Sequence, residues 1–279
     1  LMELGVPPDR WPASHRAAIC VTFDVDGSYG EKGYRDPSNT YWISQTEYDP
    51  FGVERSLRVL ADLDIQATYC WVGKVAEERP DLVEQAAADG HEIALHTWEH
   101  RYLHTMSDDE QRDDFHRTFE TLQRIAGSPP TGHKTGGWRY NDATHRICQE
   151  MGLDWVMDVP RGDLPSFLRP DESRPPLVNL PPSWLWDDYN WYVDQIASPN
   201  QVANAWQDDL DMLREEGGLM SLTLHPFVSG RPGPMRGLAR FLDYAVSLGD
   251  VWIARADQIA IWWRNQANAS INASINGKG

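Results

Sequence analysis

Short apolar runs alternate along this chain with segments whose apolar positions recur every three or four residues. The runs read as strands and the periodic segments as helices. Residues 17–24 predict a strand, 53–63 a helix, 67–72 a strand and Pro80–Ala88 a helix stopped by Gly90. A strand at 91–95 follows, then a long helix to about residue 125 with Ser107 as its cap and Glu110 at the capping-box position. Asn141 or Asp142 opens the next helix, which ends near Gly152, and 153–158 and 177–180 read as strands. A helix at Pro199–Glu216 ends at Gly217-Gly218. Strand Leu219–Leu224, helix 235–248, strand Val251–Ala254 and helix 256–263 close the pattern.

Repeated βα units predict a mostly parallel sheet covered by helices. Three predicted strands end in ligand-type residues: Asp24 and Asp26, His96, and His225. Strand C-termini converge on one face of a closed barrel, whereas an open sheet spreads them along a crevice. Convergence of an early, a middle and a late strand suits a barrel. Residues 27–52, rich in Tyr, Gly and Pro, read as a long connection forming a wall or lid, and 161–176 as a similar excursion. Residues 1–266 are expected to form one domain. Residues 267–279, which repeat Asn-Ala-Ser-Ile-Asn, are expected to be a disordered low-complexity tail.

The 279 residues suffice for one large α/β unit, and 41% hydrophobic and 11% aromatic content supports a substantial core. A formal charge of -17 argues against nucleic acid and against an anionic membrane surface as partners. Cys20, Cys70 and Cys148 cannot make a closed disulfide framework, and no CxxC spacing occurs; buried free thiols are expected. No leader-like segment and no apolar stretch of about 20 residues is visible, so a cytoplasmic location is expected. No GxGxxG, P-loop or GxSxG motif occurs, which disfavours nucleotide cofactors and serine acyl chemistry.

Positions i and i+2 of a strand share a face, so Asp24 and Asp26 can address one point. His96 and His100 are four apart, which aligns them once a helical turn begins. One Asp with two His leaves metal positions open, as a catalytic site requires, and frees the other Asp to act as a base. His225, at the end of an apolar strand, is placed for a general acid. In the run from Pro130 to Arg139, paired glycines before Trp138 let backbone N–H groups near Gly137 approach an oxyanion. Trp184 and Trp186, after a short strand, either line a substrate cleft or belong to the core. His15, His116 and His145 have no motif around them and read as surface or structural.

In order, Thr22-Phe23-Asp24-Val25-Asp26-Gly27, the His91–His100 segment, the glycine-rich loop 130–139, residues 177–188 and the Leu222–Pro232 segment resemble the polysaccharide deacetylase superfamily. This is the NodB-homology, carbohydrate esterase family 4 group. The likeness is strongest to its peptidoglycan-deacetylase-like and cyclic-imidase-like branch. It spans roughly residues 17–262.

The resemblance implies a distorted (β/α) barrel, NodB-like and seven-stranded, and one divalent metal ion, usually Zn. It implies Asp26, His96 and His100 as metal ligands, Asp24 as catalytic base and His225 as catalytic acid. Where the sugar deacetylases carry Arg-x-Pro-x-Gly, this chain has Lys134-Thr135-Gly136-Gly137-Trp138-Arg139. The cleft is thus expected to differ from the usual polysaccharide one, while C–N bond hydrolysis is kept.

The expected function is a metal-dependent hydrolase of C–N amide bonds, opening a linear N-acetyl group or a cyclic imide or amide. Its partner is a small or short oligomeric amide substrate, and abundant tryptophan fits self-association into a homo-oligomer. An Asp with two His also suits a non-haem iron(II) oxygenase, which aerobic iron and 2-oxo-acid dependence would reveal. A non-catalytic ligand-binding barrel is the third reading.

Overall fold

The computed structural model describes residues 11–34, 38 and 40–276. The strands are β1 (Ala17–Val25), β2 (Thr68–Trp71), β3 (Glu92–Leu95), β4 (Gly132–His133), β5 (Trp155–Val156), β6 (Ser166–Leu168), β7 (Leu177–Asn179), β8 (Leu219–Leu224) and β9 (Val251–Ala254). They form one sheet in the order β6-β7-β5-β4-β3-β2-β1-β8, parallel throughout except at β6. This is the curled α/β half-barrel that the alternation predicts. The path holds eight strands rather than seven. The additional one is the antiparallel edge strand β6, which lies in the 161–176 excursion expected to be irregular.

Strand β9 lies off this path and pairs with residues 17–20 of β1, while β2 pairs with residues 22–25. All nine residues of β1 are buried, as expected of a central parallel strand covered on both faces. Among the described residues an isolated parallel bridge joins Asp187, in the segment after β7, to Thr223 of β8.

The helices start and stop where local chemistry dictates. Ser107 and Glu110 complete a reciprocal capping box on Asp108–Ala126, and Asn141 caps Asp142–Glu150. Gly217, at φ 77°, closes Pro199–Glu216 in the left-handed conformation that glycine adopts without a side-chain clash. All three cysteines are free and buried. Among the described residues no helix is long and apolar enough to cross a membrane.

One expectation is corrected. The connection at 27–52 is largely helical, with helices Ser28–Tyr34 and Thr40–Gln45 and a 3-10 turn Thr46–Tyr48 leading into Asp49–Asp62. Of the connection, residues 35–37 and 39 lie outside the described residues. The last helix, Ala256–Asn276, extends into the 267–279 segment, which no proline or glycine interrupts before Gly277. Residues 277–279 lie outside the described residues.

Candidate active site

Five strands deliver the site at their C-terminal ends. Asp24 lies in β1 and Asp26 just beyond it; His96 follows β3, Lys134 follows β4, Asp158 follows β5 and His225 follows β8. Asp24, Asp26, His96, His100, Lys134, Gly137, Trp138, Asp187, Tyr189 and His225 border one cavity of about 400 Å³. The sequence-predicted acid, base and ligand residues are therefore brought together. Gly137 and Trp138 are with them.

Trp184 and Trp186 are not. Trp184 is 68% exposed and outside the cavity, and Trp186 is buried with its indole N–H donated to Asp209 at 2.9 Å. The segment turns on a short 3-10 helix, Trp184–Trp186, and it is the polar residues after it that face the cavity.

Asp26 Oδ1 lies 3.2 Å from His96 Nε2, and its Oδ2 lies 3.5 Å from His100 Nε2. Two ligands on one tetrahedral ion with bonds near 2.0–2.1 Å stand about 3.3 Å apart, so these spacings match a shared ion. Asp26 Oδ1 is buried and has no hydrogen-bond partner. A buried carboxylate oxygen without a donor is costly unless a cation faces it. The three residues fit a divalent metal.

The two histidines reach this arrangement without a helical turn, contrary to expectation. Residues 96–100 form an irregular loop, with Thr97 and His100 in the left-handed region at φ 64° and 55°. His96 Nδ1 pairs with the Lys134 carbonyl at 2.7 Å, which directs Nε2 towards Asp26. A side chain on Gly136 would meet the His100 ring, its Cβ falling 2.7 Å from Nε2.

Asp24 faces a cation that sequence reasoning overlooked. Lys134 Nζ lies 3.0 Å from its Oδ1 and 2.9 Å from its Oδ2, and donates to the hydroxyls of Thr22 and Thr223 at 3.0 and 2.9 Å. Burial alone would lower the Lys134 ammonium, but Asp24, by charge and hydrogen bond, together with Cys70 and Asp187, outweighs it and holds the group above its usual range. The available signal was a lysine directly after His133 in the glycine-rich 130–139 run, where the only other formal charge is Arg139.

His225 is held by Asp188, also overlooked. Its Nδ1 lies 2.7 Å from Asp188 Oδ1, while Asp188 Oδ2 accepts from the amides of His225 and Ser229 at 2.9 and 3.1 Å. Burial would lower the imidazole, but Asp188 first, then Asp187 and Asp26, raises it well above its ordinary value. Asp187, Asp188 and His225 also come within 4.8 Å of one another. Both oxygens of Asp188 are already engaged, one by the His225 ring and the other by two backbone amides. Burial pushes Asp187 up to about 7.

Outer contacts fix the walls. Asp158 accepts the Thr135 amide at 2.9 Å and pairs with His145 at 3.0 Å, which gives His145 a structural role behind the 134–139 loop. The Trp138 amide is committed to the Thr135 carbonyl at 3.0 Å and is not an oxyanion donor. Asp49 accepts the Gly27 amide at 2.8 Å, and its helix abuts the turn after His225, where a Cβ on Gly52 would lie 2.1 Å from the Pro226 carbonyl oxygen.

A curled parallel sheet with a buried Asp-His-His ligand set, an Asp–Lys pair and an Asp–His pair at its strand ends defines a hydrolase barrel of the deacetylase class. The profile of the polysaccharide deacetylase family matches residues 16–156, and the chain belongs to that family. A Mycobacterium smegmatis structure provisionally named a polysaccharide deacetylase is 31% identical, covers 95% of this chain and 96% of its own, and superimposes with a TM-score of 0.88. A peptidoglycan-N-acetylglucosamine deacetylase from Bacillus cereus is 28% identical over 63% of this chain and 72% of its own. The structure of Puue allantoinase, 24% identical, shares the fold, with a TM-score of 0.84 over 94% of this chain and 96% of its own. As a family member the chain is an enzyme of the deacetylase type.

Proposed function

We propose that this protein is a divalent-metal-dependent hydrolase of small or short oligomeric amides, cleaving a linear N-acyl group or opening a cyclic imide or amide. The observation that carries the proposal is the convergence on one cavity of the Asp24–Lys134 pair, the Asp26-His96-His100 set and the His225–Asp188 pair. Asp26, His96 and His100 would hold the ion, zinc by the chemistry of this donor set. When bound, the ion supplies Lewis acidity towards the carbonyl and a water acidified towards neutrality.

The chain's own groups do the rest. Asp24, oriented by Lys134, takes the proton from the attacking water. His225, protonated and braced through Nδ1 by Asp188, presents Nε2–H to the departing nitrogen, which must take up a proton as its bond to the carbonyl carbon breaks. The Gly137 N–H, in the cavity wall, is the candidate donor to the developing oxyanion. Trp138 and Tyr189 flank the substrate.

A cavity of about 400 Å³, bordered by Gly30 of the 27–52 segment, has room for a ring or a single acyl unit. The βα architecture and family membership support hydrolysis rather than iron-dependent oxygenation. The test is metal analysis followed by turnover assays on N-acetyl sugars, succinimide-type rings and allantoin-type ureides. Asp24→Asn should retain metal and lose turnover, whereas His96→Ala should lose metal. Near-normal turnover in either variant contradicts the assigned roles.

A further inference from the structure

The loop that carries both candidate metal histidines holds an unfavourable backbone. Thr97 and His100 are non-glycine residues at positive φ, a conformation that L side chains rarely adopt. Three contacts hold this backbone from outside. The Thr97 carbonyl accepts from Gly73 N at 2.9 Å and the Trp98 carbonyl from Lys74 N at 3.1 Å. These two donors open helix Gly73–Glu78, so the loop satisfies amides that a helix start leaves without partners.

The third contact comes from a side chain. The Trp98 amide donates to Asp114 Oδ1 at 2.8 Å, and Asp114 is a buried carboxylate in the middle of helix Asp108–Ala126. One turn further along, the Arg117 guanidinium covers the Trp98 ring at 3.8 Å from its centroid. On the other side the ring presses on Gly73, where a Cβ would lie 2.3 Å from it. Trp98 sits two residues from each histidine and is gripped through its amide, its carbonyl and its ring.

We propose that Asp114 is the positioning residue of the metal loop: by fixing the Trp98 amide it holds His96 and His100 in ligating geometry before an ion arrives. This rests on the metal reading given above. Asp114 touches neither histidine and no substrate; it acts through Trp98. Without the clamp the loop relaxes towards ordinary backbone angles, and ordering it becomes a cost of metal binding.

The experiment compares zinc affinity, by chelator competition on metal-stripped protein, for wild type, Asp114→Ala, Asp114→Asn and Leu242→Ala. Leu242 is a buried residue of helix Pro232–Ser247, so its truncation lowers general stability without touching the loop. Asp114→Ala should bind zinc about 10–100-fold more weakly, the usual cost of losing a group that orients a metal ligand. Asp114→Asn, which keeps an acceptor oxygen, should stay close to wild type, as should Leu242→Ala.

Unchanged affinity in Asp114→Ala overturns the inference. So does an equal loss in Leu242→Ala, because affinity would then follow overall stability. Failure of wild type to bind zinc at all removes the metal reading itself, and the inference with it. Should Asp114→Ala not fold, hydrogen exchange on metal-free wild type decides: the Trp98 amide should exchange as slowly as those of Glu92–Leu95, and free exchange refutes a preformed loop.

Discussion

Lys134 Nζ stands within 3.0 Å of both carboxylate oxygens of Asp24, and neither side chain is more than 4% exposed. Removing one partner of such a pair leaves the other charge buried and uncompensated. Lys134→Met should lower unfolding free energy by about 3–5 kcal/mol in denaturant titrations and suppress turnover. A change below about 1 kcal/mol would show that Asp24 does not depend on this cation.

The Asp188 carboxylate keeps His225 protonated by charge and by hydrogen bond. Asp188→Asn removes the charge and keeps the shape. Because Asp188 raises the imidazole, its loss lets His225 deprotonate at lower pH, so the alkaline limb of the kcat profile should move down. Turnover at neutral pH should fall by about 10²–10⁴-fold, the usual contribution of a placed acid. An unmoved alkaline limb would assign that limb to another group.

Gly136 gives His100 its space. Gly136→Ala puts a methyl 2.7 Å from His100 Nε2, on a ring held in the buried site. Zinc affinity, measured by competition, should drop about tenfold or more. Retention of wild-type affinity would mean that the loop yields more easily than its packing indicates.

Asp114 carries a separate stability signature. Burial pushes its carboxyl up to about 7, against the Trp98 amide, which pulls it down. The folded protein therefore keeps a proton that the unfolded chain releases near pH 4. The stability it contributes is complete below that pH and is lost as pH rises through about 7. In metal-free protein, Asp114→Asn should gain on wild type steadily from pH 4 to pH 8 in urea unfolding. A constant difference over that range would refute the assignment.

Trp184 and Trp138 should behave oppositely. Trp184→Ala, on an exposed ring outside the cavity, should leave KM and kcat within about twofold, as for an ordinary surface change. Trp138→Ala, in the cavity wall, should raise KM for any accepted amide. Steady-state kinetics on one substrate resolves the pair.

The sequence carried seven of the strands, the helix caps and five of the central site candidates because each has a local signature, while the two- and three-residue strands β4 and β6 are too short to show one. Apolar runs that end in Asp or His mark where parallel strands stop, and the chemistry of a βα sheet gathers at those ends. Ser107, Asn141 and Gly217 announce helix ends through bonds to their own neighbours. Trp184 and Trp186 stayed open between cleft and core because periodicity cannot say which face a short 3-10 turn presents; the structure buries Trp186 in the core and leaves Trp184 exposed. The 27–52 segment misled because its glycines and prolines punctuate helices rather than a loop.

By itself the sequence determined the alternation of elements and the identity of the base, ligand and acid candidates, since both depend on neighbours in the chain. Only the tertiary structure decided which charges face one another. Lys134 meets Asp24, Asp188 meets His225 and Asp114 meets Trp98 because parallel β pairing and helix packing bring distant residues together. Burial then makes each encounter strong, for in a site stripped of water an ion pair or a charge-bearing hydrogen bond has no solvent to compete with it.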